Sequence, residues 1–190
     1  MSRANIMKTL LRATPEDYVQ GMSAYQDYHN ILKAVAETEG LPLNRVVAAF
    51  AALSPNTRIE SNFKALFSLV KGYKQGLFPE DINTGGYHHA KRRAYSYLCG
   101  GKEFTALKTA PKTRAFYHNL LNPESALYVT VDGHAYNIWK GKRQPLKDVR
   151  MKKGVYVQIS QDYKEVAQKT GLLPHQVQAI TWYAWRNIKN

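Results

Sequence analysis

The sequence has a single cysteine, no long apolar run and few acidic residues. Cys99 is the only cysteine among 190 residues. It excludes an internal disulfide, a cysteine-based zinc site and a cysteine-ligated iron–sulfur cluster, because each needs several sulfurs from one chain. No segment approaches the roughly 20 apolar residues that cross a bilayer, and residues 1–12 lack the apolar stretch and cleavage site of a signal peptide. These absences predict a cytoplasmic protein without membrane contact.

The chain is rich in positive charge. Its 27 Lys and Arg residues outnumber its 14 Asp and Glu residues, which gives a formal net charge of +13. The 44% share of hydrophobic residues is enough for one folded domain spanning residues 1–190. A field of this strength attracts polyanions, of which nucleic acid is the commonest. Charge therefore predicts nucleic acid as the partner and leaves a ribosome-associated or merely soluble basic protein as the alternative.

The spacing of apolar residues predicts an all-α fold with about eight to ten helices. A Thr14 cap followed by Pro15 opens a long helix that Gly40 ends, and Thr57 with Glu60 forms a capping box for another that ends at Gly76. Further helices are predicted at residues 43–53, 87–98, 104–107, 112–121, 133–139, 162–169 and 174–188. Residues 128–131 are extended in character, but no partner strand is visible.

Two segments concentrate the positive charge. Lys91, Arg92 and Arg93 share a helical turn that we expect to face phosphate, and residues 140–153 carry seven basic residues against Asp148 alone. The second segment predicts a basic loop that reaches to about residue 157 and touches solvent or phosphate. Two adjacent histidines, residues 88 and 89, point about 100° apart on a helix and cannot easily share an ion. We therefore predict no metal and no cofactor.

Five motifs, in this order along the chain, resemble one known family. They are LSPN at residues 53–56, AKRRA at 90–94, APKTRAF at 110–116, VTVDGHAYNIW at 129–139 and QAITWYAWR at 178–186. The chain resembles the helix-hairpin-helix (HhH-GPD) DNA glycosylases, of the endonuclease III type, over about residues 45–186. The resemblance implies a two-lobed helical fold, a monomer, and double-stranded DNA as the partner in a prokaryotic or phage-infected cell.

The resemblance implies two catalytic residues. Val131-Asp132-Gly133-His134 matches the family's V-D-x-H pattern, so Asp132 would stabilise the positive charge that develops on the sugar or activate a nucleophile. Lys112-Thr113 matches the K-T that carries the lysine of members that also cleave the strand. A buried, partly neutral Lys112 would attack the sugar and form a Schiff base. Taken alone, Asp132 could be a helix cap and Lys112 a surface charge.

The resemblance also implies DNA-binding residues. Asn56 falls at the corner where the family places the wedge that fills the gap left by a flipped base, although a turn asparagine would look the same. The hairpin is degenerate, because Lys108-Thr109-Ala110-Pro111 replaces its glycines and Pro111 removes one backbone N–H. The remaining DNA contacts implied are Lys91, Arg92, Arg93, Lys108, Thr109, Thr113 and Arg114. His134, Tyr136 and Trp182 would line the base pocket, or would be plain core packing.

Three functions follow from these patterns. The first is a DNA glycosylase that excises a flipped, modified or damaged base, with AP-lyase activity supplied by Lys112. The second is a phage enzyme that hypermodifies DNA bases, similar to the predicted alpha-glutamyl/putrescinyl thymine pyrophosphorylases. The third is a DNA-binding or inhibitor protein that uses the same fold without catalysis. Release of a free base would separate the first from the second, which leaves an intact strand with an altered base.

Overall fold

The computed structural model describes residues 2–85, 88–100 and 110–187. Within these ranges the chain forms nine α-helices and no β-strand, which confirms the all-α class. The helices are α1 (Ser2–Leu10), α2 (Pro15–Glu39), α3 (Leu43–Leu53), α4 (Ile59–Lys74), α5 (His88–Leu98), α6 (Pro111–Leu121), α7 (Gly133–Lys140), α8 (Lys153–Thr170) and α9 (Pro174–Asn187). Short 3₁₀ turns lie at Pro79–Asp81 and Leu146–Asp148. None of these helices has the length and hydrophobicity needed to span a bilayer.

Most helix boundaries agree with the predicted caps. At the start of α2, Asp17 N donates to Thr14 Oγ1 at 3.2 Å and Thr14 N donates to Asp17 Oδ2 at 2.9 Å, which is a reciprocal capping box. The predicted helix at residues 43–53 is α3, in which every residue from Val46 to Leu53 is buried. Residues 128–131 belong to no helix and no strand in the described chain.

Two expectations about helix ends were wrong. Thr57 does not cap α4, because its hydroxyl donates back to the carbonyls of Leu53 and Pro55 at 3.2 Å each and closes the corner after α3. α8 begins at Lys153 instead of residue 162, since the buried stripe through Ile159 and Tyr163 extends toward the lysine-rich start. The basic loop is correspondingly shorter. The N-terminal helix α1 was not predicted, and the short helix predicted at residues 104–107 lies outside the described residues.

The chain divides into two compact units by its internal contacts. Unit 1 comprises Met1–Tyr28 and His118–Asn190, and unit 2 comprises His29–Tyr117. In unit 1, α1, α7, α8 and α9 pack against one another around a core. The buried residues of that core are Ile6, Leu10, Val129, Val131, Ala135, Ile138, Ile159, Tyr163, Val166, Ala167, Val177 and Ile180. The single domain expected over residues 1–190 stays a prediction beside this division.

Unit 2 is organised around the apolar helix α3, which packs against α4 and α5. The centroid of the Phe50 ring lies 4.5 Å from the centroid of the Phe63 ring and 6.0 Å from that of the Phe116 ring. Asn62 of α4 is buried and donates through Nδ2 to the carbonyl of Phe50 at 3.1 Å, so a polar contact fixes the two helices beside their apolar one. Because α3 and α4 pack directly against each other, the chain between them is a short corner.

Candidate functional site

Asp132 lies at the N-terminus of α7, directly after the buried residues Val129 and Val131. It is half-buried, and its Oδ1 accepts a hydrogen bond from Ala135 N at 2.8 Å. None of the described residues donates a hydrogen bond to its Oδ2. The N-terminus of a helix favours negative charge, because its free N–H groups and the helix dipole both point toward it. One carboxylate oxygen therefore caps the helix and the other is available for chemistry.

The backbone that leads to Asp132 is held by a tyrosine of α8. The Tyr156 hydroxyl accepts from Val131 N and donates to the carbonyl of Val129, at 3.4 Å each. A buried segment outside helices and strands leaves its backbone groups to be satisfied by side chains. Tyr156 supplies two of these contacts, and it holds Val129 and Val131 in the segment that precedes the carboxylate.

Three tyrosine hydroxyls of unit 1 lie within the electrostatic influence of Asp132. Burial is the main cause that raises the pKa of Tyr25, Tyr156 and Tyr163, and the negative charge of Asp132 contributes to the rise in all three, which brings the pKa of Tyr156 to about 12. These hydroxyls therefore stay protonated at neutral pH. Two of these tyrosines, Tyr25 and Tyr163, are buried, and the half-buried Asp132 therefore acts on hydroxyl groups in the interior of unit 1, where a charge is screened less than in water.

A buried polar cluster continues from this tyrosine group. The Tyr25 hydroxyl donates to Gln178 Oε1 at 3.1 Å, and Asn119 Nδ2 donates to Thr130 Oγ1 at 3.1 Å. His175 lies against Tyr25 with 4.9 Å between ring centroids, and its Nε2 donates to the carbonyl of Pro123 at 2.6 Å. All of these side chains are buried. Helical spacing does not predict this cluster, although two of its polar residues, His175 and Gln178, lie on the buried face of α9.

Asp162 is the other acidic side chain of unit 1 that lies near these elements, and it has a structural role. Its Oδ2 accepts from the Trp139 indole Nε1 at 2.6 Å, and its Oδ1 accepts from Gln158 Nε2 at 3.2 Å. Arg3 adds an ion pair at 3.7 Å. Because both of its carboxylate oxygens are engaged, Asp162 links α1, α7 and α8. Of these two carboxylates, Asp132 is the one with an uncommitted oxygen.

Two of the three residues predicted to line a base pocket contact each other. The rings of His134 and Trp182 meet edge to face, with 6.1 Å between centroids. Both residues are half-buried, and the Arg186 guanidinium lies 4.4 Å from the Trp182 ring. Tyr136 instead packs on the core of unit 1 and lies 6.2 Å from Trp139. His134 and Trp182 form an aromatic surface in the unit that carries Asp132, and Tyr136 has a packing role.

In unit 2, Asn56 lies at the tip of the corner between α3 and α4. It is exposed and has a φ of 57°, the only positive φ of a non-glycine residue in the described chain. Asparagine tolerates this left-handed conformation better than most residues. The conformation pushes the side chain out of the corner, which agrees with a turn asparagine and with a wedge alike. Its role as the wedge stays a prediction.

The predicted basic turn of α5 is less available than expected. Lys91 is buried, and its Nζ donates to the carbonyls of Ile82 at 2.7 Å and Glu80 at 3.3 Å. Its prediction as a phosphate contact was wrong, because Lys91 begins the buried face that continues through Ala94 and Leu98. Arg92 Nε pairs with Glu80 Oε1 at 2.8 Å. Arg93 is exposed.

The lysine predicted as a nucleophile is on the surface. α6 begins at Pro111, and Lys112 and Arg114 are exposed in its first turn while Thr113 is half-buried. The burial expected for Lys112 was wrong, since the buried residues of this helix begin only at Ala115. Lys108 and Thr109 lie outside the described residues, as do the side chains of His88 and His89. The described residues contain no group of three or more His, Cys, Asp or Glu that could hold a metal.

Comparison with known proteins assigns the chain to a family. Residues 1–189 match the model of a family of unknown function, DUF7178. The chain belongs to DUF7178. No curated protein and no solved structure matched this DUF7178 chain. The candidate site described above is therefore defined by its own geometry, with Asp132, the tyrosine hydroxyls and the aromatic surface in unit 1.

Proposed function

We propose that the protein is a DNA glycosylase that uses Asp132 to cleave the bond between a flipped base and its sugar. The observation that carries the proposal is the half-buried Asp132, whose Oδ1 caps α7 while its Oδ2 has no donor among the described residues. Loss of a base places positive charge on the sugar ring, and a carboxylate oxygen in water-poor surroundings stabilises that charge or activates the attacking water. The HhH-GPD resemblance and the two-lobed fold that it implies belong to this proposal.

Two further observations support it. The aromatic surface of His134 and Trp182 belongs to the same unit as Asp132, and an extrahelical base binds to proteins mainly by stacking on such side chains. The formal charge of +13 supplies the attraction to the DNA backbone. Lyase activity is the less supported part of the proposal, because Lys112 is exposed and an exposed ammonium gains no nucleophilicity from desolvation.

The decisive experiment measures release of free base from duplexes that contain uracil, oxidised, alkylated or virally modified bases. Wild type is compared with Asp132→Asn and with Asp27→Asn, a matched control at an exposed carboxylate of the same unit. We expect one substrate class to lose its base with wild type and Asp27→Asn, and not with Asp132→Asn. A released base that is independent of Asp132 contradicts the assignment. An intact strand with an altered base identifies a base-modifying enzyme instead.

Lyase activity has its own test. Borohydride reduction traps a Schiff base between a lysine and the sugar as a covalent protein–DNA adduct. We expect any adduct on abasic DNA to be absent in Lys112→Ala, with Lys169→Ala as the matched control for an exposed lysine. An adduct that survives in Lys112→Ala assigns the nucleophile to another amine. Base release without an adduct describes a glycosylase that uses water.

A second candidate function is DNA binding without catalysis. The observation that favours it is the cap itself, because an aspartate that only begins a helix would make the same Ala135 contact. One variant distinguishes the two functions. Under either function, Asp132→Asn keeps a hydrogen-bond acceptor for the helix cap and keeps the DNA affinity of wild type. It removes turnover only if the protein is an enzyme.

A further inference from the structure

The basic loop, residues 140–153, is the most positively charged exposed segment of unit 1. Its seven cations, Lys140, Lys142, Arg143, Lys147, Arg150, Lys152 and Lys153, are all exposed, and Asp148 is its one acidic residue. None of its five lysines forms an ion pair with a carboxylate in the described parts of the chain. Like charges at this density repel one another, and binding an external anion relieves that repulsion.

The loop is anchored to the helix that Asp132 caps. Asn137 of α7 donates through Nδ2 to the carbonyl of Gln144 at 2.8 Å. Leu146 lies so close to Gly133 that a Cβ added to the glycine would be 2.9 Å from Leu146 Cδ2. Because Gly133 follows Asp132 directly, this contact places the middle of the basic loop beside the candidate catalytic carboxylate.

The loop is also anchored to α9. The Arg143 guanidinium lies 4.7 Å from the centroid of the Trp185 ring and donates to the Trp185 carbonyl. Near it in sequence, the Arg186 guanidinium lies 4.4 Å from the Trp182 ring. Stacking on a tryptophan restricts an arginine and leaves guanidinium N–H groups at the edge of the stack. The cost of ordering these two side chains is therefore largely met before an anion binds.

We propose that the basic loop is a phosphate-binding clamp that holds the backbone of duplex DNA next to Asp132. Lys142 and Lys147 supply mobile charges on either side of the Leu146 anchor, and Arg143 supplies a fixed one. The clamp deepens the proposed function, since it names the residues of unit 1 that position the substrate, and it rests on DNA being that substrate. Each phosphate contact releases condensed counterions, so each lysine contributes about 0.9 to the slope of log affinity against log salt.

The test measures binding of an undamaged duplex by fluorescence anisotropy between 50 and 200 mM salt. The double variant Lys142→Ala/Lys147→Ala removes two charges from the loop. The control Lys169→Glu changes the net charge equally near the end of α8, about 24 Å along the helix from Lys153 at a rise of 1.5 Å per residue. We expect the double variant to lower the slope by about 1.8 and the affinity at 0.1 M salt by roughly 10- to 60-fold, and the control to change both much less.

Equal losses in the two variants would show that only net charge matters and would overturn the clamp. So would stronger binding of the wild type to vesicles of anionic lipid than to duplex DNA, with the same loss in the double variant. Circular dichroism checks that both variants fold. The outcome is separable from that of the proposed function, because binding needs no chemistry. A loss of affinity in the double variant and not in the control, with no base release by wild type, supports the clamp and rejects the glycosylase. Base release by wild type, with unchanged affinity in the double variant, supports the glycosylase and rejects the clamp.

Discussion

A glycine in α2 makes the packing of unit 1 directly testable. Gly21 faces α9, and a Cβ added to it would lie 2.5 Å from Ile180 N, 2.5 Å from Ile180 Cγ1 and 2.6 Å from Ile180 Cα. Two of these three atoms are backbone atoms, so a side-chain rotation cannot relieve the contact. We expect Gly21→Ala to push α2 and α9 apart and to destabilise the protein.

The expected magnitude comes from two opposing effects. Overpacking a well-packed interface costs about 1–3 kcal/mol, and a clash with backbone belongs at the top of that range. Alanine gains about 1 kcal/mol over glycine from helix propensity. The net loss is about 2 kcal/mol, which for a chain of this length lowers the melting temperature by about 4–8 °C. Helix propensity alone predicts that Gly21→Ala stabilises the protein.

The assay is thermal unfolding followed by circular dichroism, with Gly154→Ala as the matched control. Gly154 lies in the first turn of α8, and a Cβ there meets nothing within 4 Å. We expect Gly154→Ala to leave the melting temperature unchanged or to raise it by up to about 2–4 °C. A Gly21→Ala protein as stable as wild type would refute the close approach of α2 and α9.

Four further predictions concern single side chains. Asp132→Ala removes the α7 cap and should lower the free energy of unfolding in urea by about 1 kcal/mol, whereas Asp132→Asn should not, and equal values would argue against the cap. Tyr156→Phe frees the backbone before Asp132 and should lower kcat about tenfold with little change in KM, so a change in KM alone would point to another role. Burial lowers the pKa of His175 in the folded state, so the unfolded chain binds the proton more tightly than the folded chain does. The melting temperature of wild type should therefore fall as the pH drops below about 6.5, and that of His175→Gln should fall less over the same pH range. Gly72→Ala should lower the free energy of unfolding in urea by about 1 kcal/mol, because its Cβ would lie 2.5 Å from Ile82 Cγ1, a side-chain atom that can move. A larger loss of stability than in Gly21→Ala would contradict this reasoning.

Helix periodicity and capping residues predicted most of the fold. The reciprocal cap at Thr14 and Asp17, the apolar helix α3 and the corner at Asn56 all depend on local interactions, which is why the sequence shows them. The start of α8 was missed because a run of lysines hides the first turns of its buried stripe. In such a segment the run of charged residues hides the apolar periodicity, because the sequence does not show which helices pack against it.

The candidate site was predicted in part. Asp132 is recognisable from its motif, and its cap is a local contact. Lys91 and Lys112 were assigned from their motifs, and a motif does not show burial. Lys91 is buried with its Nζ on the carbonyls of Ile82 and Glu80, and Lys112 is exposed. The buried cluster of Tyr25, Asn119 and Gln178 joins three separate helices, so no spacing within one helix reveals it. Pairing of buried polar groups becomes visible only in the folded chain.

The most direct test of a catalytic Asp132 is the single-turnover rate of base release by wild type and Asp132→Asn on the same duplex, with the dissociation constant measured in parallel. We expect a rate loss of about 10²- to 10⁴-fold in the variant, because an amide cannot stabilise the cationic sugar or accept a proton from water. We also expect a dissociation constant that stays within about threefold of wild type, a difference below 1 kcal/mol. Equal rates, or a rate loss fully explained by weaker binding, would contradict a catalytic Asp132.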